Sequence, residues 1–100
     1  VSSIRCRVVK PKNEEELKEI LHIIGVEPSN IGVILPKSTF FTILVEDIPL
    51  KEALILKQEM LSKGGECAVS SGVVNLEVEK SSVLLCGTKR QFTDLTKKLF

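Results

Sequence analysis

Two places in this 100-residue chain set charged or hydroxyl side chains where a folded backbone could put them to work. The first is Gly87-Thr88-Lys89-Arg90-Gln91, directly after the apolar run Val83-Leu84-Leu85-Cys86. A buried strand feeding a helix at Thr88 would aim free amide donors and the positive end of the helix dipole at one spot. Lys89 and Arg90 add charge there, so the chemistry on offer is capture of a phosphate or carboxylate. The segment has a single glycine and fits neither a Walker motif nor a dinucleotide fingerprint, and its plainer account is a capped helix with two solvated cations. The second place is Lys57, near the middle of an otherwise apolar helical stripe, where it calls for a carboxylate, a bound anion or another protein surface. Its plainer account is a lysine that buries its methylenes and leads its ammonium to water.

Nothing else in the chain gathers into a site. His22 is the only histidine and has no Cys or His at ligand spacing, so no metal ligand set is read. Cys6, Cys67 and Cys86 form no CxxC, lie in apolar strand-like contexts, and read as free thiols serving as small core residues in a reducing compartment. Ser70, Ser71, Ser81 and Ser82 have no base nearby in sequence, and no paired carboxylates stand out. Catalytic residues, metal ligands and cofactors are therefore all read as none.

Composition narrows the partners. Four Phe with no Trp or Tyr leave no aromatic platform for stacking on bases, and a net charge of +1 with interspersed signs offers no basic patch. Nucleic acid and anionic membrane are both read out, and no apolar run reaches the length of a membrane span. With 43% hydrophobic and 27% charged residues, the chain is expected to be one cytoplasmic domain over residues 1–100.

The elements that must position these residues follow from periodicity and punctuation. Residues 2–9 alternate Ile4, Cys6 and Val8 against Arg5 and Arg7, the period of a half-buried strand. Asn13 with Glu16 three positions on has capping-box spacing, and opens a helix whose core face is Leu17, Ile20, Leu21 and Ile24 and whose stop is Gly25. Residues 27–30 read as a turn, and residues 32–35 as either a strand or a helical turn. Phe40 to Ile48 reads as a well-buried central strand. The stretch Pro49 to Gly65 carries a helix with both ends marked, its stripe formed by Leu50, Ala53, Leu54, Lys57, Leu61 and Gly64 with Leu56 and Met60 at the edge.

Residues 66–69 read as a short strand, and Val74, Leu76 and Val78 as one face of an edge strand. Residues 83–86 read as a strand buried on both faces. A last helix is opened by Thr88 and Gln91 at capping-box spacing and carries the stripe Phe92, Leu95 and Leu99. Alternating strands and helices predict an α/β fold, a small sandwich of helices on a mixed β-sheet, with a ferredoxin-like α+β arrangement as the alternative.

Two stretches, Ala53 to Val74 and Ser81 to Leu99, resemble the N-terminal extension of some bacterial and archaeal dihydropteroate synthases. The most distinctive part is Lys57-Gln58-Glu59-Met60-Leu61-Ser62 followed by Gly64-Gly65. The resemblance implies folate biosynthesis, where the full enzyme is a transferase joining a pterin pyrophosphate to 4-aminobenzoate. In that family the chemistry belongs to a (β/α)8 barrel, which takes roughly 250 residues. The family's pterin-binding and phosphate-binding loops have no counterpart here, so none of its catalytic residues is carried over. The resemblance implies a non-catalytic accessory domain, inactive alone, whose partner is the catalytic barrel of the same protein or a second copy of itself. The competing expectation is a stand-alone domain that binds a small anionic ligand through Lys57, Thr88, Lys89 and Arg90.

Overall fold

The structure, a computed structural model, describes residues 4–99. The described residues fall into two compact units divided at Leu35/Pro36.

Among the described residues of the first unit, the only regular structure is helical. Helix α1, Glu14–Ile24, starts where Asn13 accepts the Glu16 amide at 2.9 Å, and the Glu16 carboxylate returns to the amide of Lys12 at 3.0 Å. It ends at Gly25, whose φ of 91° lets the amides of Gly25 and Val26 turn back to the carbonyls of His22 and Leu21. Leu21 is buried, whereas Ile24, assigned by periodicity to the core face, is 70% exposed. Helix α2, Pro28–Ser38, runs through the division at Leu35/Pro36 and takes in residues 28–30 of the expected turn and the ambiguous residues 32–35. Pro28 suits its first turn, where the missing amide has no partner to lose. The strand expected over residues 2–9 does not form in its described part, since residues 4–11 have no regular structure; residues 2 and 3 lie outside the described residues. Alternation alone cannot hold a strand without a neighbour.

The second unit has the α/β architecture read from the sequence, helices on a sheet. Its elements are β1 (Phe40–Pro49), α3 (Leu50–Ser62), β2 (Glu66–Ala68), α4 (Ser71–Val74), β3 (Lys80–Thr88) and α5 (Lys89–Leu99). The strand order is β1-β3-β2, and both ladders are antiparallel. β1 and β2 are thus parallel to each other, joined by α3 and split by β3, the split β-α-β unit of the ferredoxin-like alternative. β1, expected in the centre, is an edge strand, and β3 takes the centre. Apolar content points to the centre of a sheet, and Phe40 to Val45 has more of it than residues 80–88.

One face of the sheet packs the core. Val83 and Leu85 of β3, Cys67 of β2, Ala53 and Met60 of α3, Val73 of α4 and Leu95 of α5 are all buried. Val45, Ile48, Phe92 and Leu99 pack around them, and Phe41 meets Phe92 edge to face with ring centroids 6.3 Å apart. The other face carries Phe40, Thr42 and Leu44 opposite Thr88, Cys86 and Leu84. Burial on both faces was expected for residues 83–86, but Leu84 and Cys86, on this second face, are only half-buried.

Residues 74–79 are not a strand. Ser71–Val74 coils into α4, Val73 is buried, and Leu76 takes a left-handed φ of 61° as the Glu77 amide returns to the Gly72 carbonyl. Val78 lies against Gly72, where a Cβ would stand 2.6 Å from its Cγ1. The apolar residues that pack are Val73 and Val78, five apart, a relation that two-residue periodicity does not detect.

Candidate functional site

Of the two positions singled out in the sequence, Thr88 to Gln91 lies at a corner where α3 ends and α5 begins, and Lys57 lies within α3. α3 leaves through Gly64 at φ 85°: the Gly64 amide bonds the Leu61 carbonyl at 3.1 Å and the Gly65 amide bonds the Met60 carbonyl at 3.1 Å. This is a Schellman exit, and it directs the chain into β2. Met60 then reaches across the sheet. A Cβ on Gly65 or on Gly87 would lie 2.5 Å from its terminal methyl, so both glycines are the floor on which Met60 rests.

That floor moves the buried stripe of α3. Ala53 and Met60 are buried with Leu50 and Leu56 packed beside them, while Leu54 and Leu61, placed at the stripe's centre by periodicity, are exposed. Lys57 consequently sits at the flank of the buried face, half-covered, and its charge is felt at Cys67 on the neighbouring strand. Burial is the main cause that pushes the Cys67 thiol above its ordinary value, Glu66 adds to it, Lys57 opposes it and Cys86 adds a little more. A thiol held protonated in this way is a packing group rather than a nucleophile. Cys6 is exposed and Cys86 half-buried, and neither is in a disulfide.

The helix start at Thr88 is closed from within. The Thr88 hydroxyl accepts the Gln91 amide at 3.1 Å, and the Gln91 side-chain oxygen accepts the Thr88 amide at 2.9 Å, the reciprocal pair that the spacing implied. The Lys89 amide donates to the Thr39 carbonyl at 2.8 Å. Arg90 points its guanidinium along the helix to Asp94, 3.3 Å away in an exposed i,i+4 pair. Sequence reasoning missed one bond: the Gln91 side-chain nitrogen donates to the Lys63 carbonyl at 3.0 Å, tying the exit of α3 to the entrance of α5. The signal for it was the pairing of Gly64-Gly65 with Gly87, since only residues without side chains leave room for Gln91 and Met60 together.

No protein-family model, curated protein or solved structure matches the chain.

Of the four residues proposed to hold a ligand, the structure brings Thr88, Lys89 and Arg90 to one helix start. It puts Lys57 with Cys67 and Glu66 instead. Among the described residues, no three His, Cys, Asp or Glu side chains gather to hold a metal ion. None of the described helices is long and apolar enough to cross a membrane. An apolar hollow of about 330 Å³ in the second unit is lined by Ile48, Glu52, Ile55, Leu56 and Leu99, away from this corner.

Proposed function

We propose that this chain is the non-catalytic N-terminal domain of a dihydropteroate synthase-like enzyme of folate biosynthesis, and that it packs against the catalytic barrel or mediates assembly. The observation that carries this reading is the use made of Met60, Gly64, Gly65, Gly87 and Gln91. All five lie within the two stretches that resemble the synthase extension, and all five pack against or cap one another at a single corner. A corner of this kind constrains sequence for shape alone, which accounts for a recurring pattern that contains no reacting group. Large apolar side chains left open on β1, with Phe40 at 74% and Leu44 at 57% exposure, favour contact with a macromolecule over capture of a small anion.

The test combines the source reading frame with a synthase assay. A frame that runs on past Phe100 by on the order of 250 residues, enough for a barrel, supports the reading if the long product condenses a pterin pyrophosphate with 4-aminobenzoate and the 100-residue chain does not. A frame that ends at Phe100 overturns it.

A further inference from the structure

The outer edge of β1 combines two features that a monomer leaves unused. The first is backbone. The Thr39 carbonyl accepts the Lys89 amide, so Thr39 faces the β3 side, and the alternation of an extended strand turns the N–H and C=O groups of Phe40, Thr42 and Leu44 outward. No further described strand pairs with them. The second is side chain. From Phe40 to Val45 the strand has no charge, proline or glycine, the devices that ordinarily blunt an edge, and Phe40, Phe41, Ile43 and Leu44 are all exposed.

We propose that this edge pairs antiparallel with the same edge of a second copy, about a two-fold axis at Thr42, joining the two sheets into one. The proposal takes up the assembly branch of the reading above, and its test, an oligomeric state, is independent of synthase activity. Three features favour a second copy as the occupant. With Thr42 opposite Thr42, the outward-facing residues pair among themselves, Phe40 with Leu44 and Leu44 with Phe40, so each exchanges both of its backbone hydrogen bonds. The same register places Phe40 against Leu44 on the open face and Phe41 against Ile43 on the helix-covered face, an apolar match on both sides. Charge agrees as well. Lys37 and Lys89 stand at the Phe40 end of β1 and Glu46 and Asp47 at the other, so antiparallel pairing brings the acidic end of each copy to the basic end of the other.

The experiment measures mass in solution by light scattering across a concentration series, with backbone amide exchange followed on the same samples. The expected result is a species of twice the chain mass, with the amides of Phe40, Thr42 and Leu44 protected only when it is present. Thr42→Pro removes an outward amide on an edge strand, the sheet position where proline is accepted because no ladder bond within the chain is lost, so it should leave the fold and weaken the dimer about tenfold or more. Leu44→Lys, at an already exposed position, should do the same by charge. Circular dichroism checks that both variants remain folded. A chain that stays monomeric at every concentration, or an assembly that survives both substitutions or leaves those three amides unprotected, overturns the proposal.

Discussion

The Gln91 side-chain nitrogen donates to the Lys63 carbonyl at 3.0 Å, joining two helix ends that are 28 residues apart in the chain. Through the same side chain's oxygen the amide of Thr88 is satisfied, so one residue serves the exit of α3 and the entrance of α5 together.

Removing that residue therefore costs more than losing one cap. Gln91→Ala should destabilise the protein by about 1–3 kcal/mol in urea denaturation, combining a lost cap with an orphaned carbonyl. Gln91→Glu keeps the acceptor for Thr88 and loses the donor for Lys63, so the difference between wild type and Gln91→Glu reads the bond between helices, and the difference between the two variants reads the cap. Equal stability for wild type and Gln91→Ala would show that the bond contributes nothing.

Gly87 and Met60 should prove energetically coupled. Gly87→Ala puts a methyl 2.5 Å from the Met60 methyl and 2.7 Å from the Gln91 side-chain oxygen, and should cost about 1–3 kcal/mol. Met60→Ala is costly too, by about 2–5 kcal/mol, because it empties a buried site. In that background, however, the glycine substitution loses its main clash, and a double-mutant cycle should return a favourable coupling of about 1 kcal/mol. Additive costs would contradict the contact.

Cys67 predicts a pH dependence at the alkaline end. Its thiol is raised in the folded state above the ordinary value of 9.0, chiefly by burial, so the unfolded chain releases the proton first. Stability is unaffected well below 9.0 and falls as pH rises through that value, until the folded thiol ionises as well. Cys67→Ala should flatten this decline between neutral and alkaline pH in thermal melts. If the slope persists unchanged, another group is responsible.

Inorganic phosphate should leave the melting temperature where sodium chloride of equal ionic strength leaves it. The Thr88, Lys89 and Gln91 amides at the start of α5 already have partners within the chain, and Arg90 is turned to Asp94. A phosphate-specific rise that disappears in Lys89→Ala/Arg90→Ala would establish an anion site here and favour the ligand-binding account.

What was legible in the sequence was what local chemistry decides. The Asn13 cap, the Gly25 and Gly64 exits, the Thr88–Gln91 pair and the stripe Phe92-Leu95-Leu99 all depend on residues within one or two turns of each other. What was not legible depends on neighbours distant in sequence. Met60 rather than Leu61 is buried because Gly65 and Gly87 make space for it, and Gly87 lies on another strand. Residues 4–9 alternate as well as many real strands do, yet they take up no regular structure. The edge position of β1 was hidden by its own composition, since Phe40 to Val45 reads as interior while much of it faces outward. The helix start at Thr88 was legible from its capping spacing, but the partners that close it, Thr39 and Lys63, come from outside the motif.

The order β1-β3-β2 also sets a timetable for synthesis. β3 is the sole sheet partner of both other strands among the described residues, and it is the last strand to be made. When β1 emerges from the ribosome, its counterpart is still about 40 residues from emerging in turn, roughly 2–8 s away at ordinary elongation rates. Throughout that interval the run Phe40-Phe41-Thr42-Ile43-Leu44-Val45 has nothing to pair with. The nascent chain is thus most dependent on chaperone cover between the emergence of β1 and that of Thr88, and slow elongation within that window would raise the yield of aggregated product more than slow elongation after it.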